Sequence, residues 1–318
     1  MENKLSRRQF LKTTAGIALA AGVSPALEKF IASAYAEESA EKPDLAVIKS
    51  ASPEAATIAA IESLGGIGQF VKSGDRVVIK PNMAFPNPPE WGTTTSPEVV
   101  MTVVKLCLDA GARSILVIDY PMAQPERCLK NTGVAEACEK LGSKKIRVSV
   151  ETEQRSYTEI ALENAKELKK TEIHKALLRA DAFINIPVAK SHSATAVSMG
   201  LKNIMGLIWD RKYLHQGINL DQGIADLSTF HKLRPSLIVM DATKALITGG
   251  PQGPGRTKSL NTVICGTDPV AVDSYTVTLA RWNNRGYAPA DVKHIAAANA
   301  MGVGEMNIEK LSVREMNL

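Results

Sequence analysis

Short apolar runs alternate along most of the chain with longer segments that mix apolar and polar residues. The apolar runs, each the length of one β-strand, include LAVIKS, DRVVIKPN, SILVIDY, DAFINIPVAK and SLIVMDATKA. Segments typical of helices lie between them, such as SPEAATIAAIESLGG, in which Ser52 is placed to cap a helix and Gly65 to end it. Strands that alternate with helices of about 10–15 residues favour βαβ units. We therefore predict an α/β fold with a mainly parallel, open sheet.

The predicted strands are almost continuously apolar, which is typical of a sheet covered by helices on both faces. No linker, internal repeat or low-complexity tract interrupts the pattern after residue 36. We therefore predict that residues 37–318 form a single α/β domain, with a division into two lobes left open. A chain of this length can bury a sizeable core.

A different pattern occupies the first 36 residues. The segment SRRQFLK precedes a modest apolar run, and the small residues Ala34 and Ala36 suit a signal peptidase. This pattern is typical of a twin-arginine export signal. We predict a signal peptide over residues 1–36 that is removed near Ala36, and the twin-arginine translocase as the partner during export. The mature protein is then periplasmic or otherwise extracytoplasmic.

Charge and cysteine spacing exclude several classes of function. The net charge is +5, but five basic and two acidic side chains fall within residues 1–36, so the rest carries only about +2. No basic face with interleaved aromatic residues is visible, so we predict no nucleic-acid binding. No segment approaches the ~18 consecutive apolar residues of a membrane span, so we predict no integral membrane segment. The four cysteines lack the close spacing of iron–sulfur ligands, which disfavours that cofactor.

Polar side chains stand where several predicted strands end. These residues are Lys80 and Asn82, Asp119, Lys190 and His192, and Asp241. Ligands of open parallel sheets bind beyond the carboxyl ends of the strands, so we expect these groups to converge on one cleft. A single charged residue after a strand is usually part of a solvated turn. Four such strand ends together favour a ligand site.

The residue types in this cleft favour an anionic ligand. Lysines and helix N-termini attract a carboxylate or a phosphate, and a histidine can transfer protons. We predict catalytic roles for Lys190, His192 and Asp241, and substrate binding by Lys80 and Asn82.

The segment GGPQGPGRT contributes Gly250 and Gly255 to the predicted substrate-binding residues. Pro251 and Pro254 lack the amide groups that cradle phosphate, and a predicted strand follows instead of a helix. We therefore interpret the segment as a loop over the cleft, not as a nucleotide-binding loop.

A divalent metal is an alternative ligand of the cleft. His192 and His215 with a carboxylate such as Asp226 have the chemistry to bind one, although no local histidine spacing supports this set. The cofactor therefore stays open at this stage.

Several of these segments together resemble one known family. They are KPNM, PVAKSHSATAVSMGLKNIMGLI, IADL, LIVMDATKA followed by GGPQGPG, and DPVAVDSY. From about Lys80 to Tyr275 the chain resembles the domain of unknown function 362 family. The resemblance places Lys190, His192, Thr195, Lys202, Asn203 and Asp273 on characteristic positions of that family, and His215 and Asp226 also fit.

The resemblance adds substrate-binding roles for Thr195, Lys202 and Asn203 but does not name a reaction. Many relatives carry ferredoxin-like cysteine motifs, which this chain lacks, so that cofactor is not implied. Relatives also tend to have an acidic residue before the Gly-Pro loop, where this chain has Ile247 and Thr248.

Two classes of function stay open. One is an exported enzyme that acts on a small anionic substrate by acid–base or metal-assisted chemistry. The other is a non-catalytic ligand-binding or accessory protein of a periplasmic redox system. An electron carrier would need a redox centre that the cysteines do not provide.

Overall fold

Parallel strands form most of the central sheet. The computed structural model of the protein describes residues 42–318, so the predicted signal peptide and its cleavage position near Ala36 lie outside the described residues. The strands are β1 (Leu45–Lys49), β2 (Arg76–Pro81), β3 (Ser114–Asp119), β4 (Ile146–Val150), β5 (Tyr157–Ala161), β6 (Lys170–His174), β7 (Ala182–Ile186), β8 (Val188–His192), β9 (Ala196–Val197), β10 (Leu237–Leu246), β11 (Thr257–Gly266) and β12 (Val313–Asn317).

The strand order along the main path of the sheet is β12-β1-β11-β10-β7-β2-β3-β4. Strands β10, β7, β2, β3 and β4 pair with their neighbours in parallel. Strand β11 runs antiparallel to both β1 and β10. The prediction of a mainly parallel open sheet is therefore confirmed, with one antiparallel strand inserted.

Local sequence signals begin the helices. The helices are α1 (Pro53–Ser63), α2 (Pro97–Asp109), α3 (Pro125–Asn131), α4 (Val134–Glu139), α5 (Lys175–Arg179), α6 (Gly200–Asn203), α7 (Arg211–Gln216), α8 (Leu220–Leu227), α9 (Pro269–Thr278) and α10 (Lys293–Ala300). Helix α1 begins as predicted, because the Ser52 side chain accepts a hydrogen bond from the Ala55 amide at 3.1 Å. Within residues 42–318, no helix is long and apolar enough to cross a membrane.

Helices cover both faces of the sheet. Successive strand residues point to opposite faces. Val77 and Ile79 of β2 belong to one hydrophobic core with α1 and α2, whereas Val78 belongs to a second core with α8, α9 and α10. Residues 43–318 form one compact unit.

Two strands differ from their predicted bounds. The run DAFINIPVAK is divided at Pro187, which has no amide hydrogen, into β7 and β8. Strand β10 does not end at Asp241 but continues to Leu246, because its second half pairs with β11. Asp241 therefore lies inside a strand and not at a strand end.

Two other segments have local structures that their sequences do not indicate. The segment TAVSMGLKNIMGLI has a composition typical of a helix, but it forms β9, the short helix α6 and a 3₁₀ turn over Ile204–Leu207. The polar stretch before residue 175 forms an antiparallel hairpin of β5 and β6.

The Asp226 side chain of α8 fixes a distant loop. Its carboxylate accepts hydrogen bonds from the backbone amides of Lys166, Glu167 and Leu168 at 2.8–2.9 Å. Asp226 is completely buried. Its role in the described structure is therefore to satisfy backbone donors.

We expect Asp226→Ala to lower the free energy of unfolding by about 3 kcal/mol, because three buried amide donors lose a charged acceptor. Urea denaturation measures the change. Asp109→Ala is the matched control, since Asp109 is exposed and pairs only with the exposed Lys105. An Asp226→Ala protein as stable as the control variant would contradict this structural role.

Candidate functional site

A cavity of about 120 Å³ lies at the carboxyl ends of β2, β3 and β8. Its wall combines cationic, amide, imidazole and aromatic side chains. The lining residues include Lys80, Asn82, Phe85, Asp119, Tyr120, Lys190, His192, Ser198, Lys202, Asn203, Met205, Gly206, Arg211, His215 and Pro251. The predicted convergence of several strand ends on one cleft is thus present for β2, β3 and β8.

Lys80 and Asp119 form a buried ion pair in the cavity wall. Lys80 Nζ lies 2.8 Å from Asp119 Oδ1, and the two side chains are 1% and 2% exposed. The Asp119 carboxylate also accepts hydrogen bonds from the amides of Met83 and Tyr120. Burial lowers the pKa of Lys80, and the charge of Asp119 opposes that effect. Asp119 is therefore committed to Lys80 and the backbone.

Asn203 connects this ion pair to the neighbouring strands. Its Oδ1 accepts hydrogen bonds from Lys80 Nζ at 3.1 Å and from Asn82 Nδ2 at 3.0 Å. Its Nδ2 donates to the Lys80 carbonyl at 3.1 Å and to Asn185 Oδ1 at 2.8 Å. Both ends of the Asn203 amide are thus satisfied, which orients it and fixes α6 against β2 and β7.

Lys190 is buried without a carboxylate partner. Its ammonium donates hydrogen bonds to Asn82 Oδ1 at 3.2 Å and to the Thr93 carbonyl at 2.6 Å. The Phe85 ring lies on another side, with its centroid 5.3 Å from Nζ. Burial, with the nearby charge of Lys202, lowers the pKa of Lys190 to about 7. Lys190 can therefore gain or lose a proton near neutral pH.

Lys202 has still fewer partners. Lys202 is 8% exposed, and its ammonium donates a hydrogen bond to the Met205 sulfur at 3.5 Å. The ion pairs found among residues 42–318 do not include Lys202. Burial, with the charge of Arg211, lowers the pKa of Lys202 to about 8. The wall thus holds a cation that lacks a counter-ion.

Arg211 adds another positive charge to the cavity wall. Its guanidinium donates to the carbonyls of Tyr120 and Pro121 at 2.8 and 2.9 Å, and lies 3.8 Å from the centre of the Tyr120 ring. Trp209 stacks on the same ring with an interplanar angle of 8°.

The two histidines present opposite hydrogen-bonding character. His192 Nδ1 accepts hydrogen bonds from the amides of Ala194 and Thr195, so the proton of the neutral ring is on Nε2. His215 Nδ1 lies 2.7 Å from the Arg211 carbonyl, which only accepts, so His215 Nδ1 carries the proton and Nε2 has the lone pair. His192 is therefore a donor at Nε2 and His215 an acceptor.

Burial and the surrounding cations keep both rings neutral. Burial, with the charges of Lys202 and Lys190, lowers the pKa of His192 to about 2. Burial also lowers the pKa of His215. Among the described residues, Asp119 is the one carboxylate in the cavity wall, and it is paired with Lys80. The cavity is therefore electropositive as a whole.

Comparison with known proteins identifies the family. The sequence profile of the domain of unknown function DUF362 matches residues 77–278, which is most of the chain. The chain belongs to the DUF362 family. A twin-arginine translocation signal profile matches residues 4–24 of this DUF362 protein, so it carries an export signal. Both resemblances predicted from the sequence are confirmed.

Individual relatives of this DUF362 protein are distant. It is 25% identical over 272 residues to the thylakoid-associated protein sll1697 of Synechocystis sp., covering 81% of this chain and 79% of the relative. Among solved structures it is similar to a lactate racemase apoprotein from Thermoanaerobacterium thermosaccharolyticum, with a TM-score of 0.41 and 16% identity over 63% of this chain. A protein from Thermotoga maritima aligns with a TM-score of 0.32 and 12% identity over 59% of this chain. The aligned part spans about half the length of each solved chain, at 51% and 49%.

Most predicted substrate-binding residues of this DUF362 protein lie in the cavity wall, but not all do. Lys80, Asn82, Lys202 and Asn203 line it, as do the predicted catalytic residues Lys190 and His192. Thr195 instead donates its hydroxyl hydrogen bond to the Val197 carbonyl. The predicted catalytic residue Asp241, the predicted substrate-binding residues Gly250 and Gly255 and the predicted metal ligand Asp226 also do not line the cavity.

Asp241 has a structural role beside the cavity. Its carboxylate accepts hydrogen bonds from the Ser96 amide and from the amide and hydroxyl of Thr243. Burial raises its pKa. Because β10 continues past it, the side chain is not presented at a strand end, and we assign it no catalytic role.

The Gly-Pro loop reaches the cavity through Pro251. The Gly250 amide donates to Ser191 Oγ at 3.1 Å, and a Cβ atom on Gly250 would lie 1.7 Å from the Ser191 carbonyl oxygen. A Cβ atom on Gly255 would lie 1.8 Å from the Thr248 carbonyl oxygen. Both glycines therefore allow close backbone packing, and that packing places Pro251 in the wall.

The suggested metal ligands are not brought together. His192 and His215 both line the cavity, but Asp226 binds the backbone amides of residues 166–168. Within residues 42–318, no group of three or more His, Cys, Asp or Glu side chains is arranged to hold a metal ion. The ionisable groups that the cavity itself offers are mainly lysines and histidines.

Arg211 and the aromatic side chains Phe85 and Tyr120 were not among the predicted site residues. A helical reading of RKYLHQ would have indicated Arg211, because residues four apart lie on one helix face and His215 was already a candidate. Phe85 and Tyr120 lie just after strands, without a pattern that separates them from ordinary loop residues.

Gly206 allows the buried ion pair to form. A Cβ atom at this position would lie 2.0 Å from Asp119 Oδ1 and 2.4 Å from Lys80 Cε. We expect Gly206→Ala to lower the free energy of unfolding by about 2–3 kcal/mol, because a methyl group has no room and the ion pair must separate. Urea denaturation tests this prediction.

Gly68→Ala is the matched control, because a Cβ atom there meets nothing within 4 Å. Equal stability of the two variants would show that the Lys80–Asp119 pair does not require the close approach of Gly206.

Proposed function

We propose that the mature protein is an extracytoplasmic enzyme that binds a small anionic substrate in the electropositive cavity and acts on it by proton transfer. The observation that carries this proposal is the Lys202 ammonium, which lines the cavity, is almost fully buried and, among residues 42–318, has only a thioether as its hydrogen-bond partner. A buried charge without a counter-ion is costly. An anion in the cavity would remove that cost.

Each cavity residue has a distinct proposed role. Lys202 and Arg211 hold the anionic group by charge. His192 donates a hydrogen bond from Nε2, as a neutral imidazole can to a carbonyl or other oxygen of a substrate. His215 Nε2 and Lys190 are the groups that can accept a proton. The Lys80–Asp119 pair and Asn203 position the others.

A carboxylate or a phosphate would suit the charge of this site. The cavity volume of about 120 Å³ favours a small molecule. The twin-arginine signal supports export across the cytoplasmic membrane, and we propose the periplasm or its equivalent as the place of action.

We expect acetate and sulfate to bind at least about ten-fold more tightly at pH 6 than at pH 9, which corresponds to about 1.4 kcal/mol. The pKa values of Lys190 and Lys202 are about 7 and 8, so their charges are lost as the pH rises through this range. The charges of acetate and sulfate stay constant. Thermal unfolding at constant ionic strength measures the stabilisation by each anion.

The ligand-free protein should show the opposite trend. The unfolded lysines keep pKa values of about 10.4, so between about pH 7 and pH 10 the unfolded state binds more protons. Lys190 and Lys202 therefore make ligand-free stability rise with pH in this window. Lys202→Met should abolish the anion effect, whereas the exposed Lys105→Met should keep it. If acetate and sulfate stabilised the wild-type protein equally at pH 6 and pH 9, the proposed anion site would be wrong.

We expect replacement of Arg7 and Arg8 by lysine to retain the protein in the cytoplasm, because the twin-arginine pair is the feature by which the signal is identified. Cell fractionation and immunoblotting measure the distribution. Replacement of Lys4 by arginine is the control and should leave export intact. Normal export of the Arg7→Lys, Arg8→Lys protein would mean that another route carries it.

A further inference from the structure

The two unpaired lysines of the cavity differ in their surroundings. Lys190 Nζ has two oxygen acceptors, Asn82 Oδ1 and the Thr93 carbonyl. Within the described part of the chain, Lys202 Nζ has no oxygen acceptor and contacts the Met205 sulfur. These contacts give the two amines different chemistry. Lys202 is suited to bind an anion by its charge, whereas Lys190 keeps its hydrogen bonds whether or not it is protonated.

The contacts of Lys190 suit a neutral amine. A neutral amine has two N–H groups and one lone pair, and two acceptors can hold both N–H groups at once. The lone pair then occupies the remaining direction. Because burial and the charge of Lys202 lower the pKa of Lys190 to about 7, much of this amine is neutral at physiological pH. A desolvated lysine beside another cation is an activated nucleophile for carbonyl groups.

We propose that Lys190 forms an imine with a small oxo acid, whose carboxylate is held by Lys202 and Arg211 in the same cavity. This inference rests on the proposed function, since it needs the anion site, and it adds the substrate class and a covalent step. The cavity places an amine, two further cations and a neutral imidazole donor around one small volume. Among oxo acids, a 2-oxo acid carries the matching carbonyl and carboxylate on adjacent carbons.

The step balances with one proton from the solvent. The Lys190 lone pair attacks the carbonyl carbon, the C=O π bond breaks, and a proton moves from nitrogen to oxygen to give a carbinolamine. The C–O bond then breaks, and the hydroxyl group leaves as water after taking the proton from the solvent. The nitrogen forms the C=N bond, and the protonated imine keeps one N–H group. The Thr93 carbonyl, 2.6 Å from Nζ, can accept that hydrogen bond.

Reductive trapping tests the inference. The full exported protein is incubated with pyruvate or glyoxylate and sodium cyanoborohydride at pH 7.5, then digested and mapped by mass spectrometry. Hydride from the reductant converts the imine to a stable secondary amine. We expect the carboxyalkyl adduct on Lys190 to exceed that on the exposed Lys105 and Lys140 by at least about ten-fold. The fraction of neutral amine is more than about ten-fold larger for Lys190 than for an exposed lysine at this pH. Lys190 is also the less basic amine and therefore the weaker nucleophile, which reduces this advantage.

The matched controls separate this inference from the proposed function. Propionate lacks the carbonyl and should compete with trapping without forming an adduct. Lys190→Met should lose the adduct, and Lys202→Met should reduce trapping. Because mapping locates the adduct in the wild-type protein, the test does not depend on how well the variants fold.

Specific labelling of Lys190 would support the inference. Labelling spread over exposed lysines, or found on Lys202 instead of Lys190, would overturn it. No adduct in a protein that pyruvate and acetate stabilise would overturn the imine and leave the anion site standing. No adduct and no stabilisation by any of these anions would overturn both.

Discussion

The site is constrained above all by its charge, because one small cavity buries more positive than negative groups. Lys80, Lys190, Lys202 and Arg211 line it, and Asp119 is the carboxylate that accompanies them within the described structure. An isolated buried charge either finds a partner or gives up its proton. The four cations use different solutions. Lys80 pairs with Asp119, Lys190 approaches neutrality, and Arg211 binds carbonyls and an aromatic ring, whereas Lys202 has no ion-pair partner among residues 42–318.

The polar scaffold beneath these cations is what makes the arrangement stable. Asn203 uses both ends of its amide to join β2, β7 and α6. Asp273 fixes the other end of α6 by accepting hydrogen bonds from the Gly200 and Leu201 amides, and burial raises its pKa to about 7. A buried polar network that is fully satisfied specifies one geometry. The short helix α6, which carries Lys202, is therefore fixed at both ends by buried hydrogen bonds.

The sequence predicts the part of the site that depends on parallel strands. Lys80 and Lys190 follow apolar runs, and the parallel order of β2, β7 and β10 brings such runs to one edge. The prediction that a strand ends at Asp241 is wrong for a physical reason. The apolar run up to Asp241 does not reveal that the polar residues after it will pair with β11 and extend the strand. Arg211 was missed because α7 is too short to show a periodic pattern. Family resemblance, not pattern, indicated Lys202 and Asn203.

The charge balance of the cavity also limits which carbonyl compounds it could retain. When the imine is protonated, a neutral Lys190 becomes a cationic nitrogen. A neutral aldehyde would therefore add one more positive charge to a cavity that already holds more cations than anions. An oxo acid brings its own carboxylate, which compensates Lys202 and Arg211 at the same time. The burial that makes Lys190 nucleophilic thus makes its cationic adduct costly unless an anion accompanies it. Selectivity for carbonyl acids would then follow from electrostatics and would require no additional specificity pocket.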